Sequence, residues 1–209
     1  MKKSRFDFSL NVKIYKKQDK KCDFRKDYHL IKKMIIFFIP VFLPKAGKND
    51  YGVKPFGTGL RRCEMILRHF EVRDIKDLKR YRYPEKTDMQ ILSMINEWNK
   101  GDCSGRFSEF MSIVHGGQMV GQVFMNEYND RAVCVSVFVF EPFRLNGFAY
   151  AAVKKALDLA IDKKYEYAVF LIEKNNVAAL NLFEKIGYNS KSEFINPKGV
   201  AYYNLRKDF

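Results

Sequence analysis

Residues 137–150 read VFVFEPFRLNGFAY, and the reading of this stretch decides the fold. Residues 131–140 (RAVCVSVFVF) are apolar on both faces apart from Ser136, which marks a central strand covered on both sides. Residues 141–146 have a loop composition. From about residue 147 to 162, Val153, Ala156, Leu157, Ala160 and Ile161 fall on one helical face. A strand that runs through a short loop into a helix leaves the first helical amides unpartnered, at the positive end of the helix dipole. Anions, pyrophosphate above all, bind at such places. Gly147 and Ala149 are small where a ligand must approach backbone, and Arg144 brings a charge that can meet phosphate. An ordinary turn with an exposed Arg has the same composition.

Working outward, residues 65–72 predict a strand, and Asp74 caps a short helix through about Tyr81. A second helix starts at Thr87 or Asp88, with Ile91, Met94, Ile95 and Trp98 at i, i+3, i+4, i+7. Residues 107–115 and 118–128 predict a hairpin across Gly116-Gly117, and Asn129-Asp130 turns the chain into the central strand. Residues 167–172 form a further buried strand. A helix follows over 176–186, with Asn176 at its start and Gly187 as its stop. Two last strands, 190–195 and 200–206, flank the turn Asn196-Pro197-Lys198-Gly199. The class is mixed α/β.

Two ordered motifs resemble a known family. Arg144-x-x-Gly147-x-Ala149 is similar to the R/Q-x-x-G-x-G/A signature of the GNAT superfamily of acyl-CoA-dependent N-acetyltransferases. Asn176-x-x-Ala179-x-x-Leu182-Phe183-Glu184-Lys185-Ile186-Gly187-Tyr188 looks like that family's N-x-x-A-x-x-L-Y-E-K-x-G-F helix. The resemblance covers about residues 65–209. It implies a mixed, mostly antiparallel central sheet with helices on both faces and a splayed pair of parallel central strands.

The resemblance also implies acetyl-CoA as acyl donor and a site residue by residue. The loop amides of Arg144, Leu145, Asn146, Gly147, Phe148 and Ala149 hold the pyrophosphate, and the backbone of Val137, Phe138 and Val139 binds the pantetheine arm. Asn176 contacts the cofactor, and the ring of Phe183 packs on it. The implied reaction is N-acetylation of an amine-bearing small molecule or protein by direct attack in a ternary complex. Proton transfer departs from the family pattern. Phe183 stands where relatives carry the Tyr that protonates the thiolate, and a phenyl ring has no proton to give. Leu171 stands where some relatives carry a glutamate base. Tyr150, Glu141 and Glu173 are the substitutes of choice; Glu127, His115, Tyr188, Tyr202 and Tyr203 are others. The two departures leave open a non-catalytic acyl-CoA-binding or regulatory module. A toxin-like enzyme acting on aminoacyl-tRNA is a third reading.

Composition separates the chain into two parts. The net charge of the 209 residues is +14, of which residues 1–64 carry +11 and residues 65–209 only +3. The basic excess belongs to an N-terminal extension, 1–64, and not to the acetyltransferase-like domain, 65–209. Nucleic acid is therefore not an expected partner. Cys22, Cys63, Cys103 and Cys134 form no CxxC pair, and His29, His69 and His115 lie far apart. Neither a disulfide framework nor a metal site is expected, and a reducing cytoplasm fits. The uncharged run 34–44 (MIIFFIPVFLP) is too short for a spanning helix, which needs about 20 apolar residues. A homodimer is compatible with all of this.

Overall fold

The structure is a computed structural model that describes residues 64–101 and 106–209. All of them belong to one compact unit, Phe56–Phe209. The N-terminal extension, the apolar run 34–44, and Cys22, Cys63 and Cys103 lie outside the described residues.

Period-two alternation and a Gly-Gly turn produce the central hairpin. Strands β2 (Ser108–His115) and β3 (Gln118–Asn129) pair antiparallel around Gly116 and Gly117, whose φ values of 58° and 80° suit glycine. Strand β1 (Ile66–Arg68) adds to the outer edge of β2. It is shorter than the predicted 65–72. Arg68 grips the buried Asp74 carboxylate through two hydrogen bonds of 2.7 and 2.8 Å, and the Glu71 amide donates to the same group at 2.9 Å. These bonds bend the chain into a 3-10 turn, Val72–Asp74, that leads into helix α1 (Ile75–Tyr81). Asp74 precedes α1 as expected, but its carboxylate serves this bend and not the helix amides.

Helix α2 (Asp88–Asn99) opens on a capping box between Thr87 and Gln90. The chain continues through β4 (Ala132–Val139), α3 (Phe148–Asp162), β5 (Tyr167–Glu173), α4 (Val177–Ile186), β6 (Ser190–Ile195) and β7 (Ala201–Asp208). The seven strands of the described residues form one sheet in the order β1-β2-β3-β4-β5-β7-β6. Every pairing is antiparallel except that of β4 with β5.

Two apolar cores sandwich the sheet. On one face α3 and α4 pack Ala152, Val153, Ala156, Leu157 and Phe183 against Val123, Val133, Val135, Phe170 and Leu205. On the other, α1 and α2 bring Leu78, Ile91, Ile95 and Trp98 to Phe110, Phe138 and Phe140. These two helices cover the β2–β4 half of their face, and Leu171, Glu173, Tyr202 and Asn204 belong to the β5–β7 half of the same face. No helix among the described residues is long and apolar enough to cross a membrane.

Candidate active site

The parallel ladder is short. It joins Ala132 to Tyr167, Val133 to Ala168 and Cys134 to Val169, and then stops. Strand β4 nevertheless stays paired with β3 as far as Val139, and β5 with β7 as far as Glu173. Residues 135–139 and 170–173 therefore face each other across a gap that opens toward the strands' C-terminal ends. Among the described residues, backbone groups on its two rims have no strand partner. At the closed end Arg131 grips Glu166 through both guanidinium arms, and the Glu166 amide donates to the Arg131 carbonyl at 2.8 Å. Cys134 sits at the apex, wholly buried, and burial pushes its thiol up to about 12. It is a packed, inert thiol and not a nucleophile.

One close approach marks β4 on the side away from β5. A Cβ on Gly121 would stand 2.4 Å from the Phe138 carbonyl oxygen and 3.0 Å from the Val139 Cα. Only glycine lets β3 come this near to β4, and the contact lies at the mouth of the gap, where Gly121 is paired with Val139.

The loop beyond the gap is shaped for an anion. A 3-10 turn (Glu141–Phe143) passes to Leu145, whose φ of 65° is unusual for leucine, and then to Gly147 at φ 78°. Gly147 is the N-cap of α3 and brings no side chain to it. The first amide to enter the helix ladder is that of Ala151, which donates to the Gly147 carbonyl at 3.1 Å. The amides of Gly147, Phe148, Ala149 and Tyr150 precede it and point out of the helix end. No acidic side chain occupies the first turn, so the dipole's positive end is uncompensated. Among the described residues nothing lies within 4 Å of a Cβ built on Gly147, and none of them blocks the approach to these amides. The Asn146 side chain braces the loop by donating to the carbonyls of Phe143 and Arg144 at 3.2 and 3.0 Å. Arg144 folds back onto the gap's rim, with Nε 3.2 Å from the Val139 carbonyl and its guanidinium 5.8 Å from the Phe138 ring.

The proton-transfer candidates occupy different places. Glu141 lies on the loop and Tyr150 on the first turn of α3, both exposed, with the Lys154 ammonium 5.7 Å from the Tyr150 ring. Glu173 lies at the open end of β5. It shares a face with Leu171, two residues earlier, and accepts a 2.9 Å hydrogen bond from the Tyr202 hydroxyl. Phe194 stacks on Tyr202 with ring centres 5.4 Å apart. Burial, then the Glu173 carboxylate, raise the Tyr202 phenol above its ordinary range. Asn176 caps α4 by accepting from the Ala179 amide at 3.1 Å, and its own amide donates to the Glu173 carbonyl at 2.9 Å. Phe183 is buried, its ring 4.2 Å from that of Phe170 on the α3–α4 face. His115 packs 4.9 Å from Phe148 beside the loop's helix. Glu127 is at the closed end instead, opposite Val133, where it accepts from the Phe107 amide and the Tyr165 hydroxyl. Tyr203 is on the opposite face from Tyr202, with the Lys191 ammonium 3.7 Å from its ring. Tyr188 packs against the α3–α4 core.

Gln122 belongs to no motif in the sequence. It is fully buried on the α1–α2 face, paired with Ser112 and Phe138, and neither polar atom of its amide has a hydrogen-bond partner among the described residues. Its one signal was a polar residue inside an apolar strand. No group of three or more metal-ligating side chains stands together among the described residues.

A parallel pair that separates beside a loop of outward-facing amides matches what a sequence profile finds. The profile of the acetyltransferase (GNAT) family matches residues 71–188, a span that includes the gap, the loop and α4. This chain belongs to the GNAT family. Solved GNAT proteins share the fold at low identity. RimJ of Mycobacterium smegmatis, in complex with CoA-disulfide, is 14% identical, with a TM-score of 0.61 over 69% of this chain and 81% of its own. The ribosomal-protein-alanine N-acetyltransferase of Brucella melitensis is 14% identical, with a TM-score of 0.55 over 69% and 99%. A chimera of the Vibrio cholerae spermidine N-acetyltransferase SpeG with hSSAT is 16% identical, with a TM-score of 0.56 over 69% and 95%. A search of curated proteins returned no match. The GNAT sheet predicted from two motifs is the sheet observed, mostly antiparallel with one parallel pair.

Proposed function

We propose that this GNAT protein transfers the acetyl group of acetyl-CoA to an amine by direct attack in a ternary complex. The observation that carries the reading is the gap between β4 and β5, which opens directly onto the unpartnered amides at the start of α3. A ligand suited to both has an extended, amide-bearing arm and a pyrophosphate, and CoA has both. The amides of Arg144 to Ala149 take the pyrophosphate, and the backbone of Val137, Phe138 and Val139 takes the arm. Asn176 stands at the opposite rim, and Phe183 supports the β5 side through Phe170. Arg144, now folded onto Val139, is within reach of the phosphates by a rotation of its side chain.

The bound thioester presents its carbonyl to a backbone N–H at the end of β4, which polarises it toward attack. The acceptor enters from the face of Leu171 and Glu173 and is an amine-bearing small molecule or protein. Holding amine and thioester together supplies much of the rate. Of the three proton-transfer candidates, Glu173 fits best: Glu141 and Tyr150 stand beside the pyrophosphate, an arm's length from the thioester. Residues 65–209 constitute the catalytic domain, which works in the cytoplasm, and residues 1–64 are an extension outside the chemistry.

The test is thiol release from acetyl-CoA with three amine classes: a polyamine, an amino sugar and a peptide with a free N-terminus. Release that depends on one class supports the reading; none with any class overturns it.

A further inference from the structure

Glu173 and Tyr202 are 29 residues apart in sequence and join across β5 and β7 at the mouth of the gap. Strand geometry places Glu173 on the same face as Leu171 and about 7 Å nearer the mouth. One carboxylate oxygen is taken by the Tyr202 hydroxyl, and the other has no hydrogen bond among the described residues. Phe194 stacked on the phenol fixes its direction.

We propose that Glu173 alone carries the proton through the whole reaction and that Tyr202 is its positioning residue. This rests on the acetyl-transfer reading above. The amine nitrogen bonds to the thioester carbon and the C–S bond breaks. The proton released from nitrogen passes to the free oxygen of Glu173, directly or through one water. The same carboxylic acid then gives that proton to the CoA thiolate, and Glu173 ends as it began, a carboxylate. A thiolate is the stronger base by about four pH units, so the second transfer runs downhill. No separate acid is required, which accounts for Phe183 in place of a tyrosine. Tyr202 is unsuited to be that acid, because burial and Glu173 both hold its proton on.

The surroundings leave Tyr202 as the group that governs Glu173. Lys174, the next residue, is paired with Glu193 and lies 5.0 Å from the Tyr203 ring on the other face of the sheet. Arg206 stands 3.9 Å over Tyr167, at the far end of the strands. Across the gap, residues 135–139 of β4 carry no titratable side chain. From the α4 side the Asn176 amide meets only the Glu173 main chain.

The experiment uses the full chain, with acetyl-CoA and the amine that best releases thiol. Glu173→Gln keeps the shape and still accepts from Tyr202. It is expected to lower kcat about 10²–10³-fold while the rise in melting temperature with acetyl-CoA is unchanged. Tyr202→Phe removes the hydrogen bond that holds the carboxylate in place. It is expected to lower kcat about tenfold while KM for acetyl-CoA is unchanged, because the carboxylate loses the bond that aims it. Full activity of Glu173→Gln overturns the proposal. So does a Tyr202→Phe enzyme as inactive as Glu173→Gln, which would make Tyr202 the acid, or one with wild-type kcat, which would leave Glu173 without a positioning residue. Absence of any acetyl-CoA effect on the wild-type melting temperature is a different failure: it overturns the acetyl-transfer reading and this inference with it.

Discussion

Gly121 and the Phe138 carbonyl are in such close contact that a methyl group on Gly121 would lie 2.4 Å from the carbonyl oxygen. The contact is at the mouth of the gap, on the side of β4 turned away from β5. Adding a side chain must push β4 back toward β5 or break its pairing with β3. Gly121→Ala should therefore destabilise the domain by about 1–3 kcal/mol, the cost of overpacking, and weaken acetyl-CoA binding as well. Urea melts and thermal shifts with acetyl-CoA measure the two effects separately.

Gln122, the next residue, is buried, and its amide has no hydrogen-bond partner among the described residues. A buried polar group without partners costs roughly 1–3 kcal/mol. Gln122→Met keeps the volume and removes the polar atoms. The expected outcome is a higher unfolding free energy in urea, by about 1 kcal/mol or more at the conservative end of that range.

The clamp at the closed end gives a pH dependence. The Arg131 guanidinium holds the exposed Glu166 carboxyl below its ordinary value of 4.5. A carboxylate whose folded pKa is depressed adds stability that is complete above the unfolded value and lost as pH falls through the folded one. The wild type should melt above Glu166→Gln at pH 7, and the difference should close as pH falls below 4.5. Added salt should shrink it at neutral pH. Paired melting curves across pH and salt check both signs.

Local chemistry made much of this fold legible. Gly116-Gly117 marks a hairpin because both residues need positive φ. The loop at 140–147 is legible because an apolar strand, a Pro-containing turn and a Gly-started helix follow one another in few residues. The first strand was read too long, since nothing in residues 65–72 reveals that Arg68 will capture Asp74. The depth of the gap was also hidden. It depends on where the β4–β5 ladder stops, and that pairing joins strands more than 30 residues apart in sequence. Glu173 was legible as a carboxylate near the site, but its tie to Tyr202 is a cross-strand contact that spacing alone does not reveal.

The central claim is that the amides at the start of α3 hold the pyrophosphate of acetyl-CoA. Gly147 caps that helix, and no described residue fills the space where its side chain would be. A glutamate there fills the anion's place with a carboxylate and strains the backbone by roughly 1–2 kcal/mol. Gly147→Ala carries the same strain and serves as the stability control. The deciding measurement is calorimetric titration of acetyl-CoA into the wild type and into folded Gly147→Glu. One molecule bound per wild-type chain and none per variant is the predicted result; equal binding by both proteins, or none by the wild type, would contradict it.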